Sequence, residues 1–215
     1  MSKPTLTYFD GPFSWGEECR LALHIAGVEY QDHRIKPDDW PTLKPTTPYG
    51  SLPLFELPNK PVLGQVNAIL VFLGRGHGLH PKDDFEAARH ESVMKYVEDL
   101  RSHIGPTMLM EDPAKKQRAC DKLVTTFIPG WGANVERQIG EGPFFGGATI
   151  SVVDLKLYMV VRWLRGGELD LIPTTVLSDF PKLNRIHEAV VADARVKDWY
   201  ARTPDYRESY LAAGA

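Results

Sequence analysis

Most side chains that could take part in chemistry lie in the first 66 residues of this 215-residue chain. Tyr8 and Trp40 can each donate a hydrogen bond and Lys44 carries a positive charge, three group types that hold anions. Pro53 opens an apolar stretch, and Gln65 follows another. Taken singly, each has an ordinary explanation: Tyr8 favours strands, and Trp40 with Lys44 reads as a half-buried aromatic beside a solvated cation. The function therefore has to be inferred from how these residues are arranged along the chain.

Other kinds of chemistry fit the sequence less well. Cys19 and Cys120 are too few for a disulfide framework or a cysteine-rich metal cluster, and we expect two reduced structural thiols. The GRGHG stretch lacks the helix and acidic residue that complete a dinucleotide fingerprint. His77 and His80, which precede two aspartates, fit a solvated linker better than a metal site. We therefore expect no bound metal.

The charge balance excludes several classes of partner. Lys and Arg total 25 against 28 Asp and Glu, so the chain has no basic excess for nucleic acid. The apolar run over residues 151–164 is interrupted by Asp154, Lys156 and Arg162, and it is too short to span lipid. The first residues lack the pattern of a signal peptide. The sequence predicts a cytoplasmic protein with neither a nucleic-acid nor a membrane partner.

Two regions with different patterns follow one another along the chain. Residues 4–74 alternate between strand and helix patterns in the order βαβ, irregular helical segment, ββα, which predicts a mixed sheet covered by helices. The Gly-, Pro- and charge-rich segment 74–84 separates them from a region without strand signals. We predict an α/β domain over residues 1–75, a linker over 76–83 and an all-helical domain over 84–215.

The second region contains two long helical stretches, predicted over 85–110 and 113–139. Ser151 followed three residues later by Asp154 predicts a capped helix start, and the apolar residues around this pair indicate a central helix. Shorter helices are predicted over 180–191 and 196–200.

Together these features resemble the cytosolic glutathione S-transferases, and the sigma class most closely. The resemblance is carried by YFDG (8–11), by the run from Tyr30 to Leu57 and by QVNAIL (65–70). The helical organisation of residues 84–200 carries it more weakly. The resemblance implies a thioredoxin-like N-terminal domain plus an all-α C-terminal domain, in a homodimer. It also implies glutathione as co-substrate and no tightly bound cofactor.

The resemblance gives Tyr8 the role of the catalytic hydroxyl, which donates a hydrogen bond to the glutathione sulfur. The thiolate is the attacking form, so a charge-assisted bond to it lowers the thiol pKa. The amino end of the helix that begins near Trp15 would add its dipole. Ser14 is the competitor for this role, because its hydroxyl raises the possibility of a serine-type transferase.

The remaining glutathione contacts follow from the same match. Trp40 and Lys44 would bind the glycine carboxylate, and Leu52 would present its backbone to the cysteinyl group because the bond to Pro53 is cis in similar proteins. Gln65 would hold the γ-glutamyl group at a helix amino end. The expected contacts are Trp40, Lys44, Ser51, Leu52, Pro53, Gln65 and Val66. Asp99 is the candidate for a contact across a dimer from the partner subunit, and a solvated helix face is the better explanation of this residue on the sequence alone.

Two departures from the family pattern stand out. Val66 occupies the position of the usual serine after the glutamine, so we expect weakened but not abolished affinity for glutathione. The arginine-bearing turn after the tyrosine is replaced by Pro12 to Trp15 with one extra residue. This change removes a cation from beside the thiol and adds aromatic surface.

The electrophile pocket is expected between this turn and the long helix that follows the linker. Candidate lining residues are Phe13, Trp15, Tyr96, His103 and Met108. The three on the helix fit core or dimer contacts better than ligand contacts, because they recur at helical spacing.

The resemblance therefore predicts a glutathione transferase that conjugates glutathione to small hydrophobic electrophiles, as in detoxification. A glutathione-dependent isomerase or peroxidase is the enzymatic alternative. A non-catalytic ligand-binding or structural relative is the other, and the departures at Val66 and at the turn favour it.

Overall fold

The computed structural model describes residues 3–12 and 14–203. Its N-terminal part contains a four-stranded sheet in the order β2-β1-β3-β4. The strand β1 runs parallel to β2 and antiparallel to β3, and β4 pairs antiparallel with β3. The strands are β1 (Thr5–Phe9), β2 (Gln31–Ile35), β3 (Leu54–Glu56) and β4 (Leu63–Gly64).

Helices connect these strands in the predicted order. The helices of this part are α1 (Ser14–Ile25), α2 (Trp40–Leu43) and α3 (Val66–His77). Short 3₁₀ turns flank α2 and make up the irregular segment. The helix α3 continues two residues into the predicted linker, because Gly78 rather than Gly74 adopts the left-handed conformation that ends it.

The rest of the described chain is helical, as predicted. The helices are α4 (Asp84–Met108), α5 (Pro113–Lys122), α6 (Ile128–Glu136), α7 (Val152–Arg165), α8 (Pro181–Ala192) and α9 (Ala194–Arg202). The second long stretch is not one uniform helix, because a π-helical segment, Leu123–Phe127, joins α5 to α6.

The helix α7 is the centre of the molecule, and its predicted cap is confirmed. It packs against α1, α4 and α8, and nearly all of its residues are buried. The Asp154 carboxylate accepts hydrogen bonds from the backbone N–H of Ser151 at 2.8 Å and of Phe145 at 2.7 Å. The cap therefore joins the start of α7 to the glycine-rich loop before it.

The described residues contain no helix with the length and apolar character that crossing a membrane requires. They also contain no group of three or more His, Cys, Asp or Glu side chains that could hold a metal ion. Cys19 and Cys120 are buried free thiols.

A buried histidine makes folding sensitive to acid. His187 of α8 is 1% exposed, and neither ring nitrogen has a hydrogen-bond partner among residues 3–12 and 14–203. Burial, together with the charges of Arg165 and Arg162, lowers its pKa to about 4. The unfolded side chain titrates near 6.5, so the unfolded state binds more protons between these two values. The stability that depends on neutral His187 is present above about pH 6.5 and is lost as the pH falls toward 4.

We expect His187→Leu to remove this acid sensitivity. In urea unfolding, the wild type should lose about 2.5 kcal/mol more than the variant between about pH 7.5 and pH 4.5. Subtracting the free energy of unfolding of the variant from that of the wild type removes the contribution of every other titrating group. The matched control is His77→Leu, since His77 lies exposed on α3. Equal pH dependence in wild type and His187→Leu would contradict the prediction.

Candidate active site

Three predicted site residues lie at or next to the ends of neighbouring strands, on the same side of the sheet. Thr7 lies opposite Leu54 in the β1–β3 pair, and Leu54 lies opposite Gly64 in the β3–β4 pair. One residue further along come Tyr8, Pro53 and Gln65, and antiparallel register brings them into a row. The Leu52–Pro53 bond is cis, as the resemblance implies.

The Tyr8 side chain lies against the first turn of α1. A Cβ atom on Gly16 would come within 2.1 Å of Cδ1 and 2.8 Å of Cβ of Tyr8, so only glycine leaves room for the ring. Tyr8 is 5% exposed. No described residue forms a hydrogen bond with its hydroxyl, which leaves that group free to donate to a ligand.

Tyr8 is protonated at neutral pH. Burial is the main cause that raises the pKa of its phenol well above the ordinary value, and the negative charge of Glu18 adds to it. The positive charge of Arg101 acts in the opposite direction. A protonated phenol is a donor, which is the form that can stabilise an anion.

The turn between Tyr8 and α1 is held by a buried arginine. The Arg20 guanidinium donates to the carbonyl oxygens of Phe9 at 3.1 Å and Gly11 at 2.9 Å. It also forms a two-contact ion pair with Asp32 at 3.1 Å. Because Arg20 is fully buried, these bonds fix the backbone that follows Tyr8.

The predicted carboxylate-binding pair lies beyond the end of β2. Trp40 begins α2 and packs its ring edge-on against Phe9, with 6.0 Å between centroids. Lys44 is exposed, and its Cε would lie 3.6 Å from a Cβ atom on Gly50. The Lys44 chain therefore passes over the backbone just before Ser51.

The amino end of α3 lies beside Pro53 in the same row. Gln65 is exposed and has φ of 70°, a left-handed value that is uncommon for a residue other than glycine. The first α3 hydrogen bond runs from the Ile69 N–H to the Gln65 carbonyl at 3.1 Å. The backbone N–H groups of residues 66–68 therefore have no partner within the helix and can bind an anion. The Val66 side chain itself is buried.

Comparison with known proteins decides the family. Residues 4–75 match the model of the glutathione S-transferase N-terminal domain, and residues 98–203 match that of the C-terminal domain. The chain belongs to the glutathione S-transferase family. The predicted family and its two-part architecture are thereby confirmed.

Three relatives show how far the similarity extends. Probable glutathione S-transferase 7 of Caenorhabditis elegans is 30% identical over 88% of this chain and 91% of its own. Hematopoietic prostaglandin D synthase of Gallus gallus is 26% identical over 93% of this chain and 96% of its own. The crystal structure of the glutathione S-transferase from Ascaris lumbricoides superposes with a TM-score of 0.74 at 31% identity, covering 93% of this chain and 97% of that one.

Two of the predicted pocket residues of this transferase, Tyr96 and His103, lie on α4 and contact neighbouring helices. Tyr96 packs on Trp131 of α6, with 6.3 Å between ring centroids, and its hydroxyl accepts a hydrogen bond from Asn134 at 2.9 Å. His103 stacks on Phe127 of the π-helical segment at 3.9 Å. Both therefore face the neighbouring helices within the subunit.

The other residues predicted for the electrophile pocket or the dimer contact lie in the turn after Tyr8, at the start of α1 and on α4. Trp15 is half-buried and donates from Nε1 to Glu98 at 2.8 Å. Met108 is 48% exposed, and the helical repeat of α4 puts it on the side that carries Arg101, away from Tyr96. Asp99 is partly exposed and forms an ion pair with Lys95. Phe13 lies outside the described residues.

Ser14, the competitor of Tyr8, begins α1 with φ of 36° and is half-buried. No described residue forms a hydrogen bond with its hydroxyl. Neither hydroxyl is therefore bonded within the described part of the chain, and of the two only Tyr8 lies in the row with Pro53 and Gln65.

The structure also reveals a buried charged cluster that the sequence analysis missed, formed by Glu18, Glu98, Arg101 and Lys156. Lys156 of α7 lies 3.0 Å from Glu18 of α1 and 2.7 Å from Glu98 of α4. Arg101 pairs with Glu98 at 2.9 Å and also with Glu18. Glu18 and Lys156 are 0% exposed. The cluster joins the two parts of the transferase directly behind Trp15.

The charged groups of this cluster keep one another ionised. Burial alone would raise the pKa of Glu98, but the charges of Lys156 and Arg101 hold it below the ordinary value. Burial would likewise lower the pKa of Arg101, and Glu18 and Glu98 raise it instead. The sequence contains one signal for this cluster, because Glu18 and Lys156 are charged residues within otherwise apolar helical stretches.

Proposed function

We propose that this transferase binds glutathione along the edge formed by Tyr8, Pro53 and Gln65, and that the Tyr8 hydroxyl donates a hydrogen bond to the sulfur. The reaction is conjugation to small hydrophobic electrophiles. Stabilising the thiolate and bringing the two reactants together would account for the catalysis.

The observation that carries this proposal is the row itself. A protonated hydroxyl to which no described residue forms a hydrogen bond lies near the end of β1, a backbone edge before a cis proline lies beside it, and the N–H groups that have no partner within α3 follow. Glutathione has a thiol, a peptide backbone and a γ-glutamyl carboxylate in that order. The arrangement thus offers a thiolate donor, a strand edge and an anion site to the three groups.

The remaining contacts extend the same proposal. Trp40 and Lys44 would bind the glycine carboxylate through an indole N–H and a positive charge. Ser51 and the Leu52 backbone would border the cysteinyl group. Asp99 would reach the glutathione of the partner subunit in a homodimer, and the protein would act in the cytoplasm.

The electrophile would bind beside the sulfur, against Phe13, Trp15 and Met108. Trp15 is fixed by Glu98 and by the Arg101 guanidinium, whose carbon lies 5.5 Å from the ring centroid. A fixed indole offers a flat apolar surface, which suits small aromatic electrophiles.

The direct test combines calorimetry with product analysis. We expect glutathione to bind with one site per chain and a chlorodinitrobenzene-type electrophile to be converted to its conjugate. Binding without turnover of any tested electrophile would favour a ligand-binding relative, and absence of binding would favour a structural one. Either result would contradict the proposal.

A glutathione-dependent isomerase is the second candidate, favoured by the similarity to the prostaglandin D synthase of Gallus gallus. Incubation with an endoperoxide separates the two functions. Conversion of the endoperoxide to an isomer, faster than any conjugation, would assign the isomerase reaction to this chain.

Val66 gives a test of the γ-glutamyl position. Val66→Ser adds a hydroxyl at the amino end of α3, where it can donate to the glutamyl carboxylate. We expect glutathione to bind about tenfold more tightly, as is typical of a hydrogen bond to a charged group. The measurement is calorimetric affinity, with Val66→Ala as the control for lost side-chain volume. Unchanged affinity in Val66→Ser would contradict the assignment of this helix end.

A further inference from the structure

We propose that Arg101 is a positioning residue for the glutathione thiolate, because from α4 it supplies the positive charge that the turn after Tyr8 lacks. The inference rests on the proposed function, in which the sulfur lies beside Tyr8.

Arg101 is held in a fixed orientation close to the first turn of α1. It is 6% exposed, donates to Glu98 at 2.9 Å and to Glu18, and lies over the Trp15 ring with 5.5 Å to the centroid. Trp15 is followed by Gly16, the residue against which the Tyr8 ring packs. A single turn of helix thus connects the guanidinium to the catalytic phenol.

The guanidinium keeps one donor without a partner. Among the described residues, the buried Arg101 Nε has no hydrogen-bond acceptor. An unpaired buried donor is unfavourable. The buried guanidinium therefore has one N–H that its ion pairs do not use.

Arg101 offsets negative charge that would otherwise disfavour an anion beside Tyr8. The cluster contains two carboxylates and two cations, so its charges cancel while all four are present. Without Arg101, an uncompensated negative charge remains on Glu18 or Glu98. That charge would oppose the thiolate, whereas Pro12, Ser14 and Trp15 of the turn offer no cation in exchange.

The experiment titrates the thiol of bound glutathione by the ultraviolet absorbance of the thiolate. We expect Arg101→Met to raise the pKa of the bound thiol by about one unit, leaving about tenfold less thiolate below that pKa. Affinity for glutathione at a pH below both pKa values should not change, because the neutral thiol does not sense the charge. The control is Arg89→Met, since Arg89 lies on the same helix in a partly exposed pair with Glu86, outside the charged cluster.

The double variant separates an electrostatic role from a purely structural one. Adding Glu18→Gln to Arg101→Met restores a balanced pair, Glu98 and Lys156, so the thiol pKa should return toward the wild-type value. Loss of helix packing would instead leave the double variant no better than the single one, and that result would overturn the inference.

Other outcomes are equally decisive. A wild-type thiol pKa in folded Arg101→Met overturns the inference and leaves the proposed function standing. A wild type that binds no glutathione, or leaves its thiol pKa unshifted, overturns both.

If Arg101→Met does not fold, the double variant is compared with Glu18→Gln alone. Replacing both partners of a buried ion pair is better tolerated than replacing one. Glu18→Gln alone should lower the thiol pKa, and adding Arg101→Met should reverse that shift. Equal values in the two variants overturn the inference.

Discussion

Replacing Tyr8 by phenylalanine is expected to reduce kcat/KM for conjugation about 100-fold, the usual effect of removing one donor from a developing anion. The phenol supplies the bond to the sulfur, so the pKa of bound glutathione should rise toward the ordinary thiol value near 8.5. The ring would remain packed against Gly16, and thermal stability should change little. Activity as a function of pH, measured together with thiolate absorbance, tests both parts.

Ser14→Ala is the matched comparison for Tyr8→Phe, because each variant removes one hydroxyl from the same turn. We expect Ser14→Ala to keep the wild-type thiol pKa. Undiminished conjugation by Tyr8→Phe, with loss of conjugation in Ser14→Ala, would transfer the role to the serine.

Replacing Asp154 by alanine is expected to lower the free energy of unfolding by about 3 kcal/mol or more. The substitution leaves two buried backbone N–H groups, those of Ser151 and Phe145, without their acceptor, and each such group typically costs about 1–3 kcal/mol. The Ser151 hydroxyl also loses its bond of 2.7 Å. Urea unfolding at fixed pH measures the difference.

Ser151→Ala is the control for Asp154→Ala, because it removes a side chain of the same cap and keeps both backbone bonds. We expect it to lose about 1 kcal/mol. An equal loss in the two variants would contradict the role of the carboxylate.

The effect of Asp154→Ala should also depend on pH. Burial raises the pKa of the Asp154 carboxyl from 3.8 to about 6, so the folded state binds its proton more tightly than the unfolded state between those values. This contribution to stability is present at low pH and is lost as the pH rises through 6. The stability loss in Asp154→Ala should therefore be larger near pH 5 than near pH 7.5.

Features set by neighbouring residues could be predicted from the sequence. The order of strands and helices follows from local periodicity and turn residues, and the Ser151 and Asp154 cap follows from a spacing of three residues. The cis bond at Pro53 could be expected only from the family resemblance.

Features set by distant contacts could not be predicted. Glu18 and Lys156 are 138 positions apart, and nothing in either segment specifies the other as its partner. The same holds for Tyr96 and His103, whose spacing is compatible with a ligand pocket although their partners are Trp131 and Phe127. Which helix face meets which neighbour depends on tertiary packing, which periodicity alone does not determine.

A crystal structure of the complex with glutathione tests the central claim most directly. The account predicts the sulfur within hydrogen-bonding distance of the Tyr8 hydroxyl, with the cysteinyl backbone alongside Leu52 and the γ-glutamyl group at the amino end of α3. A sulfur bound by the Ser14 hydroxyl instead, or a tripeptide bound away from the row of Tyr8, Pro53 and Gln65, would contradict it.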